Sequence, residues 1–294
     1  MIPQPSRVAP RPLLLLSALY FGAAFFTVRF PDTPGAGVGS FVSTFLIALP
    51  SFVALWRFLG ARRAALSLLS LSAFGYAIET TGVLTGFPYG PFYYGDALGP
   101  KVADLVPYLL PLSWAPLVLG AVAASAPAEK STLRRRVFWV LSAAVLLALM
   151  DGVLDPGAAA LGFWVWPEGG FYYGVPATNY LGWLLSSSLA VALLLFLGRL
   201  RWGKKPPPPG LLDSALVAAS FWTGVAVFSG LPLPAALGLA LYLFLLYRRS
   251  RLAAKACGIK AGNGDERRLK HEVGDGHIPE DELRGRPDRV RRRS

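Results

Sequence analysis

The sequence contains long apolar runs, and this feature constrains its fold more than any other. Eight runs are long enough to cross the roughly 30 Å hydrocarbon core of a bilayer as helices. They fall at about 13–28, 38–58, 64–84, 105–126, 137–155, 178–198, 211–229 and 231–247. Only 16% of the residues are charged, against about a quarter in soluble domains. The sequence therefore predicts an all-α integral membrane protein with about eight transmembrane helices.

The number of spans is either eight or seven, depending on how the last two runs are arranged. Only Gly230 and nearby prolines separate them, so they form either a tight helical hairpin or a re-entrant pair, and the second case leaves seven spans. The fourth run holds Pro107, Pro111 and Pro116, which predicts a kinked helix of the kind that neighbouring helices accommodate in a membrane. No clear small-x-small cleavage site follows the first run, so we expect it to remain as a transmembrane helix.

Basic residues mark one side of the membrane. Before the C-terminal tail, fifteen lie on one side and only Arg29 and Lys101 lie on the other. The fifteen are Arg7, Arg11, Arg57, Arg62, Arg63, Lys130, Arg134, Arg135, Arg136, Arg199, Arg201, Lys204, Lys205, Arg248 and Arg249. Because cytoplasmic loops are enriched in Lys and Arg, both termini are predicted to be cytoplasmic, in the inner (cytoplasmic) membrane of a bacterium.

The chain divides into two regions by composition. Residues 1–250 form the predicted transmembrane domain. Residues 251–294 are charged and poor in large apolar side chains, which is typical of a disordered tail. We predict that this tail is cytoplasmic and solvated, including its Arg291, Arg292 and Arg293. The net charge of +12 does not indicate nucleic acid, because the basic residues stand at the ends of the apolar runs.

Acidic residues have the opposite distribution. Of the nine outside the tail, seven lie on the predicted non-cytoplasmic side. Glu79, Asp151 and Asp155 each fall within the last turns of an apolar helix, where an ionisable group usually faces the bundle interior or a cavity. Asp151 and Asp155 are four residues apart and share a helix face, so we expect them to resist joint ionisation. The alternative is a structural role, with hydrogen bonds to helix ends or loop backbone. The loop carboxylates, predicted to be solvated, include Asp32, Asp96 and Asp104.

An internal repeat surrounds these acids. In each copy six residues separate a carboxylate from a Gly-Phe pair, and a Phe-Tyr-Tyr-Gly segment follows. The copies are Glu79, Gly86-Phe87 and Phe92-Tyr93-Tyr94-Gly95, then Asp155, Gly162-Phe163 and Phe171-Tyr172-Tyr173-Gly174. Both begin at the outer end of an outward-running helix, which predicts two parallel repeats at about 64–126 and 137–198. Substrate sites in repeated membrane folds often lie at the repeat interface, so we expect both copies to line one pocket on the non-cytoplasmic side.

Aromatic side chains are dense around the repeat. An interfacial aromatic belt accounts for part of them, but belts occur on both sides of a bilayer and this cluster is one-sided. The excess is typical of a pocket for a long apolar ligand, with ring faces available to a developing cation. Asn179, four residues before Trp183, either orients a water or caps the sixth helix. The candidate substrate-binding residues are Tyr89, Tyr93, Tyr94, Trp114, Trp164, Trp166, Tyr172, Tyr173, Asn179 and Trp183.

Two blocks of motifs together resemble one known family. The first block is Glu79-Thr-Thr-Gly82, Gly86-Phe-Pro-Tyr-Gly90, Tyr93-Tyr94, Val106-Pro107 and Pro111-Leu-Ser-Trp114. The second block is Asp151-Gly-Val-Leu-Asp155-Pro156, Gly162-Phe-Trp-Val-Trp166, Tyr172-Tyr-Gly-Val-Pro176 and Asn179-Tyr-Leu-Gly-Trp183. The combination is similar to the CruF-type carotenoid hydratases, a membrane family of bacterial and haloarchaeal carotenoid pathways. The resemblance covers roughly residues 75–185, and the flanking helices match only in hydropathy.

The resemblance implies a hydro-lyase that adds water across the terminal 1′,2′ double bond of an acyclic carotenoid end, of the lycopene or γ-carotene type. A buried, neutral carboxylic acid would protonate the 2′ carbon, and a second carboxylate would take the proton of the water that attacks the 1′ cation. We expect Asp155 and Glu79 to be the acid/base pair and Asp151 to adjust the acidity of Asp155. Which of the three donates the proton stays open at this point.

No cofactor is expected, because hydration changes no oxidation state. The single cysteine, Cys257, and the two histidines, His271 and His277, all lie in the tail, so the helices offer no cysteine or histidine metal site. The expected partners are the carotenoid, water and the lipid bilayer. Other enzymes of the carotenoid pathway are further candidate partners, and nucleic acid is not expected.

Two other functions fit the same residues. A membrane carotenoid cyclase of the lycopene type would begin with the same protonation and end by ring closure instead of water capture. A lipid carrier or transporter is compatible with parallel repeats and intramembrane acids. The one-sided acids and the Pro/Gly-rich aromatic loops favour a fixed pocket over a carrier.

Overall fold

The computed structural model describes residues 11–31, 33, 35–127 and 132–274. Within these residues the chain forms eight α-helices joined by short turns and four two-residue strands. The helices are α1 (Arg11–Arg29), α2 (Ala36–Leu59), α3 (Ala61–Thr85), α4 (Leu110–Ala124), α5 (Leu133–Ala160), α6 (Ala177–Leu197), α7 (Asp213–Phe228) and α8 (Pro232–Gly274). The strands are β1 (Tyr93–Tyr94), β2 (Lys101–Val102), β3 (Val106–Pro107) and β4 (Trp164–Val165).

Five helical segments among the described residues are long and apolar enough to cross a membrane. They are Arg11–Arg29, Gly37–Leu59, Leu133–Ala160, Ala177–Leu197 and Pro209–Phe228, the last of which includes a 3-10 turn before α7. These segments and the largely helical fold confirm the prediction of an all-α integral membrane protein. Each of the eight apolar runs contains a helix, while eight as the number of membrane crossings stays a prediction.

The fourth helix begins later than the sequence predicts. The predicted span began at residue 105, whereas α4 begins at Leu110 and has 15 residues. Val106 and Pro107 instead form β3, which pairs antiparallel with β2. Proline lacks a backbone donor, so Pro107 suits a short edge strand and Pro111 suits the first turn of a helix. At a rise of 1.5 Å per residue, α4 extends about 22 Å, less than the hydrocarbon thickness of a bilayer.

Helix α4 is nonetheless the centre of the bundle. Every residue from Trp114 to Ala124 is buried, and the helix contacts α2, α3, α5 and α7. Small polar residues join the helices around it: Ser51 Oγ donates to the Leu211 carbonyl oxygen at 2.9 Å, and Ser220 Oγ donates to that of Ser17 at 2.8 Å. Small polar residues let two helices approach closely and hydrogen-bond each other, which matters in a bilayer because the hydrophobic effect does not drive helices together there. Helix α6 packs against α5 and α3. This packing brings α6 together with the two helices that carry Glu79, Asp151 and Asp155.

Helices α7 and α8 are joined by a turn at residues 229–231. Gly230 has a φ of 72°, in the left-handed region that glycine adopts without strain. Whether the two helices both cross the membrane as a hairpin or form a re-entrant pair stays a prediction.

Helix α8 is helical as far as Gly274, and Lys255–Ser294 is a separate unit from Met1–Ala254. Disorder across 251–294 stays a prediction. Predictions about Arg7, Asp32, Lys130, His277 and residues 291–293 concern positions outside the described residues.

Candidate active site

Three carboxylates lie buried near the ends of two helices. Glu79 lies six residues before the end of α3, and Asp151 and Asp155 lie on the last turns of α5. Glu79 is 8% exposed, and each aspartate is 2% exposed. An acid at such positions is costly unless other polar groups satisfy it. The surrounding hydrogen bonds therefore define what the cluster can do.

Asn179 joins the two aspartates. Its Nδ2 donates to Asp151 Oδ2 at 3.0 Å and also to Asp155 Oδ2. The aspartate side chains are close enough to hydrogen-bond each other, an arrangement in which a single proton between them satisfies both. The predicted alternative in which Asn179 caps α6 is wrong, because the residue at the N-cap is Pro176. The amide of Asn179 instead donates to the buried oxygens of Asp151 and Asp155. Buried acceptors are almost always hydrogen-bonded, because water cannot reach them.

Glu79 is held by tyrosine hydroxyls. The Tyr94 hydroxyl donates to Glu79 Oε2 at 2.7 Å, and Tyr89 also hydrogen-bonds Glu79. Burial, followed by the neighbouring Glu79 carboxylate, raises the pKa of the Tyr94 phenol well above its usual value, so this hydroxyl keeps its proton and donates it to the hydrogen bond. Tyr89 is linked onward to Ser186 on α6.

A short strand pair connects the loops that follow α3 and α5. Strands β1 and β4 run antiparallel, with Tyr94 opposite Trp164. Tyr94 bonds Glu79, and Trp164 Nε1 donates to Asp155 Oδ1 at 3.1 Å. Gly95 N donates to the Phe163 carbonyl oxygen at 2.8 Å and extends the pairing. Each loop thus orients the carboxylate of the helix before it, and the cross-strand pair fixes the two acids relative to each other.

Aromatic rings pack beside this cluster. Tyr89, Phe92 and Trp166 are buried together, with Trp164 and Trp183 packed against them. Tyr89 and Phe92 meet edge to face at 5.9 Å, and the centroids of Tyr89 and Trp183 are 6.4 Å apart. The result is a packed aromatic cluster beside the carboxylates, and the negative faces of such rings suit a carbocation.

The remaining predicted binding residues show no hydrogen bond to the three carboxylates among the described contacts. Trp114 stacks on Phe74 in the main helical core. Tyr93 points away from its neighbour Tyr94 and is 51% exposed. Tyr172 and Tyr173 are partly buried, and Tyr172 meets Tyr180 edge to face at 6.0 Å.

Three buried polar atoms here have no hydrogen-bond partner among the described residues. They are Asp151 Oδ1, Trp166 Nε1 and the Tyr180 hydroxyl. Because buried polar groups are almost always paired, these are the atoms best suited to a bound water or a polar group of a ligand. Among the described residues, no cluster of His, Cys, Asp or Glu is arranged to hold a metal ion.

The carboxylates in the described loops, unlike the three in the helices, are exposed to solvent. Asp96 and Asp104 are exposed, as predicted for loop carboxylates. Lys101 Nζ donates to Asp96 Oδ1 at 2.8 Å, and this hydrogen bond lowers the pKa of Asp96.

A sequence model of the family described as "Carotenoid biosynthesis protein" matches residues 36–245, a stretch that contains all three buried carboxylates and both paired loops. The chain belongs to this family. The CruF-type resemblance of the motifs is thereby confirmed at the level of the family. No solved structure matches this chain.

A curated protein with a related sequence is a bisanhydrobacterioruberin hydratase from Haloarcula japonica. It is 40% identical to this chain over 193 residues. The match covers 63% of this chain and 63% of the relative, so the alignment leaves over a third of the relative's length unmatched.

Some residues of the site in this carotenoid biosynthesis protein were not predicted as site residues. Tyr180 lies inside the motif that begins at Asn179, and Ser186 is the first of three consecutive serines on α6, but neither was selected as a site residue. Gly82 and Gly182 did carry a signal, because Gly82 closes the motif that begins at Glu79 and Gly182 lies inside the motif that begins at Asn179. A Cβ at Gly82 would lie 2.9 Å from Tyr89 Cδ2, and one at Gly182 would lie 2.6 Å from Tyr89 Cδ1. The two glycines therefore make the space that Tyr89 fills.

Replacing Tyr94 by Phe tests the orientation of Glu79. The change removes the 2.7 Å hydrogen bond to Oε2 and keeps the ring. A hydrogen bond to a carboxylate contributes about 1.5–3 kcal/mol, so we expect carotenoid turnover to fall about tenfold or more, measured as product per amount of protein in membranes. Tyr93→Phe is the matched control, because that ring is half-exposed, and it should retain wild-type turnover. Equal turnover in both variants would show that Tyr94 does not position Glu79.

Proposed function

We propose that this protein is a carotenoid 1′,2′-hydratase that acts on the acyclic end of a lycopene-type or γ-carotene-type polyene. The observation that carries the proposal is a buried aspartate pair that is bridged by Asn179 and lies beside an aromatic cluster, in a member of a carotenoid biosynthesis family. The related haloarchaeal hydratase supports hydration as the reaction.

The proposed chemistry begins at the aspartate pair. One proton shared by Asp151 and Asp155 is transferred to the 2′ carbon, the π electrons of the 1′,2′ double bond form the new C–H bond, and the 1′ carbon becomes a tertiary cation. The neighbouring carboxylates and the ring faces of the aromatic cluster stabilise this cation. We assign Asp155 as the aspartate that passes the shared proton to the carbon: Trp164 and Asn179 donate to its two oxygens and orient it, and Asp151 supplies the proton through the hydrogen bond between the two side chains.

Water then completes the addition. Its oxygen bonds to the 1′ carbon and one of its protons goes to a carboxylate, so the net change is one H₂O added and no electrons transferred. We assign Glu79 as the base because it accepts hydrogen bonds from Tyr94 and Tyr89 and lies near Asp155. Asp151 Oδ1 and the Tyr180 hydroxyl, which lack partners among the described residues, are suited to hold the water. The proposed reaction needs no cofactor, because it is acid–base chemistry throughout.

The proposal includes a membrane arrangement. Eight crossings, with two parallel repeats around the site, place the acids toward the non-cytoplasmic side and both termini in the cytoplasm. The strong one-sided distribution of Arg and Lys supports this orientation. The equivalent positions of Glu79 and Asp155, each bonded by the loop that follows its helix, support the repeat.

The test is co-expression in a bacterium that accumulates lycopene or γ-carotene, followed by chromatography and mass spectrometry of the pigments. We expect a product heavier by one water with an unchanged chromophore, because the 1′,2′ double bond is outside the conjugated system. An unshifted mass with altered retention and spectrum would contradict hydration and indicate a cyclase. Unchanged pigments from both substrates would contradict enzymatic action on these carotenoids and favour a carrier.

A further inference from the structure

A groove lies between α5, α8 and the end of α4. Its volume is about 700 Å³, within the roughly 300–1,000 Å³ range of small-molecule and cofactor sites. Apolar side chains form most of its wall, including Phe138, Val145 and Leu149 from α5 and Leu241 and Phe244 from α8. Phe138 is 73% exposed. The cavity therefore opens on a surface that is apolar enough to face lipid.

This groove is separate from the carboxylate cluster. Ser142 lines the groove, and Asp151 is nine residues further along α5. Nine residues are about two and a half turns of an α-helix, so the two side chains point to opposite faces of α5. The acids face α6, whereas the groove faces α8. A ligand in the groove would not reach the acids.

One end of the groove is positively charged. Arg135, in the first turn of α5, and Arg248, on α8, both line it, and the described lining residues include no carboxylate. Arg248 donates from Nε to the Ala124 carbonyl oxygen and from Nη2 to that of Ala126. These bonds hold the guanidinium in place at the end of α4. A guanidinium has five N–H donors, so the Nη1 group of Arg248 remains suited to an acceptor within the groove.

We propose that this groove binds an anionic phospholipid. Its phosphate would contact Arg248, and an acyl chain would lie along Val145, Leu149 and Leu241. Guanidinium groups are strong partners for phosphate, and basic pockets between membrane helices are known to hold anionic headgroups. The apolar walls distinguish a phospholipid from a free phosphate ion. The basic end belongs to the side of the chain that carries most of its Arg and Lys, where anionic lipids concentrate.

The test is native mass spectrometry of the full-length protein in detergent, titrated separately with dioleoyl phosphatidylglycerol and dioleoyl phosphatidylcholine. We expect the first phosphatidylglycerol to bind about fivefold more tightly than the zwitterionic phosphatidylcholine, the factor for one basic residue that meets the net negative charge of an anionic lipid. Arg248→Gln should remove this preference. Ser142→Phe, which places a ring in the groove, should weaken the binding of both lipids.

Leu141→Phe is the matched control, because Leu141 is 53% exposed on the neighbouring surface of α5, and it should bind as the wild type does. If Arg248→Gln fails to fold, the comparison of Ser142→Phe with Leu141→Phe decides the question. Equal wild-type affinity for both lipids, or equal effects of the two Phe variants, would overturn the proposal. Displacement of the lipid by added lycopene would also overturn it and identify a polyene as the occupant. The measurement does not depend on turnover, so its outcome is independent of whether the protein is a hydratase.

Discussion

Asp155→Asn is expected to abolish hydration of the carotenoid while the protein remains folded. The substitution keeps the size of the side chain but removes the transferable proton that the mechanism places on the aspartate pair. Acid catalysis by a positioned side chain contributes about 10²–10⁴-fold to a rate, so we expect a loss of that order. The measurement is the initial rate of formation of the product that is heavier by one water, per amount of protein in the membrane.

Asp104→Asn is the matched control for this variant. Asp104 lies exposed in a loop and has a φ of 58°, a left-handed conformation that Asn also tolerates. We expect wild-type turnover from it. Asp155→Asn also presents an amide to the donors of Trp164 and Asn179, so its folded fraction must be compared by size-exclusion chromatography. A well-folded Asp155→Asn protein with wild-type turnover would remove Asp155 from the mechanism.

The acids of the site could be predicted from the sequence because their cost in lipid is a general physical constraint. An aspartate in the last turns of an apolar helix must face protein interior or a cavity, and the four-residue spacing of Asp151 and Asp155 determines that they share a face. The burial of Glu79, Asp151 and Asp155 agrees with both arguments. The alternative of bonds to helix ends or backbone does not describe Asp151 and Asp155, whose hydrogen bonds are to side chains.

Which aromatic side chains contact the acids could not be predicted in the same way. Tyr93 and Tyr94 are identical neighbours, and a strand directs successive side chains to opposite faces. Only the pairing of β1 with β4 decides that Tyr94 faces Glu79 while Tyr93 faces outward. That pairing joins segments about seventy residues apart, and the sequence holds no local signal for its register. The start of α4 was misplaced for a related reason, since hydropathy does not distinguish the apolar β3 from the first turn of a helix.

Gly182→Ala is expected to disrupt the site through packing alone. The new methyl group would lie 2.6 Å from Tyr89 Cδ1 and 2.7 Å from the Pro88 carbonyl oxygen, distances that real Cβ contacts do not adopt. Because Pro88 contributes backbone atoms, a rotamer change of Tyr89 cannot relieve the clash, and the loop that carries Tyr89 and Tyr94 must shift. Overpacking of this kind costs about 1–3 kcal/mol of stability, and a displacement of about 1 Å can lower a rate about 10²-fold.

Thermal unfolding in detergent and the rate of product formation would measure the two effects of Gly182→Ala separately. The matched control is Gly22→Ala in α1, where a Cβ meets no atom within 4 Å. Since glycine inside a helix is about 0.5–1 kcal/mol less stable than alanine, Gly22→Ala should unfold at the same or a higher temperature and keep full turnover. If Gly182→Ala also kept full turnover, the contact between α6 and the loop of the first repeat would not be what positions Glu79. The hydroxyls of Tyr89 and Tyr94 would then hold that carboxylate without support from α6.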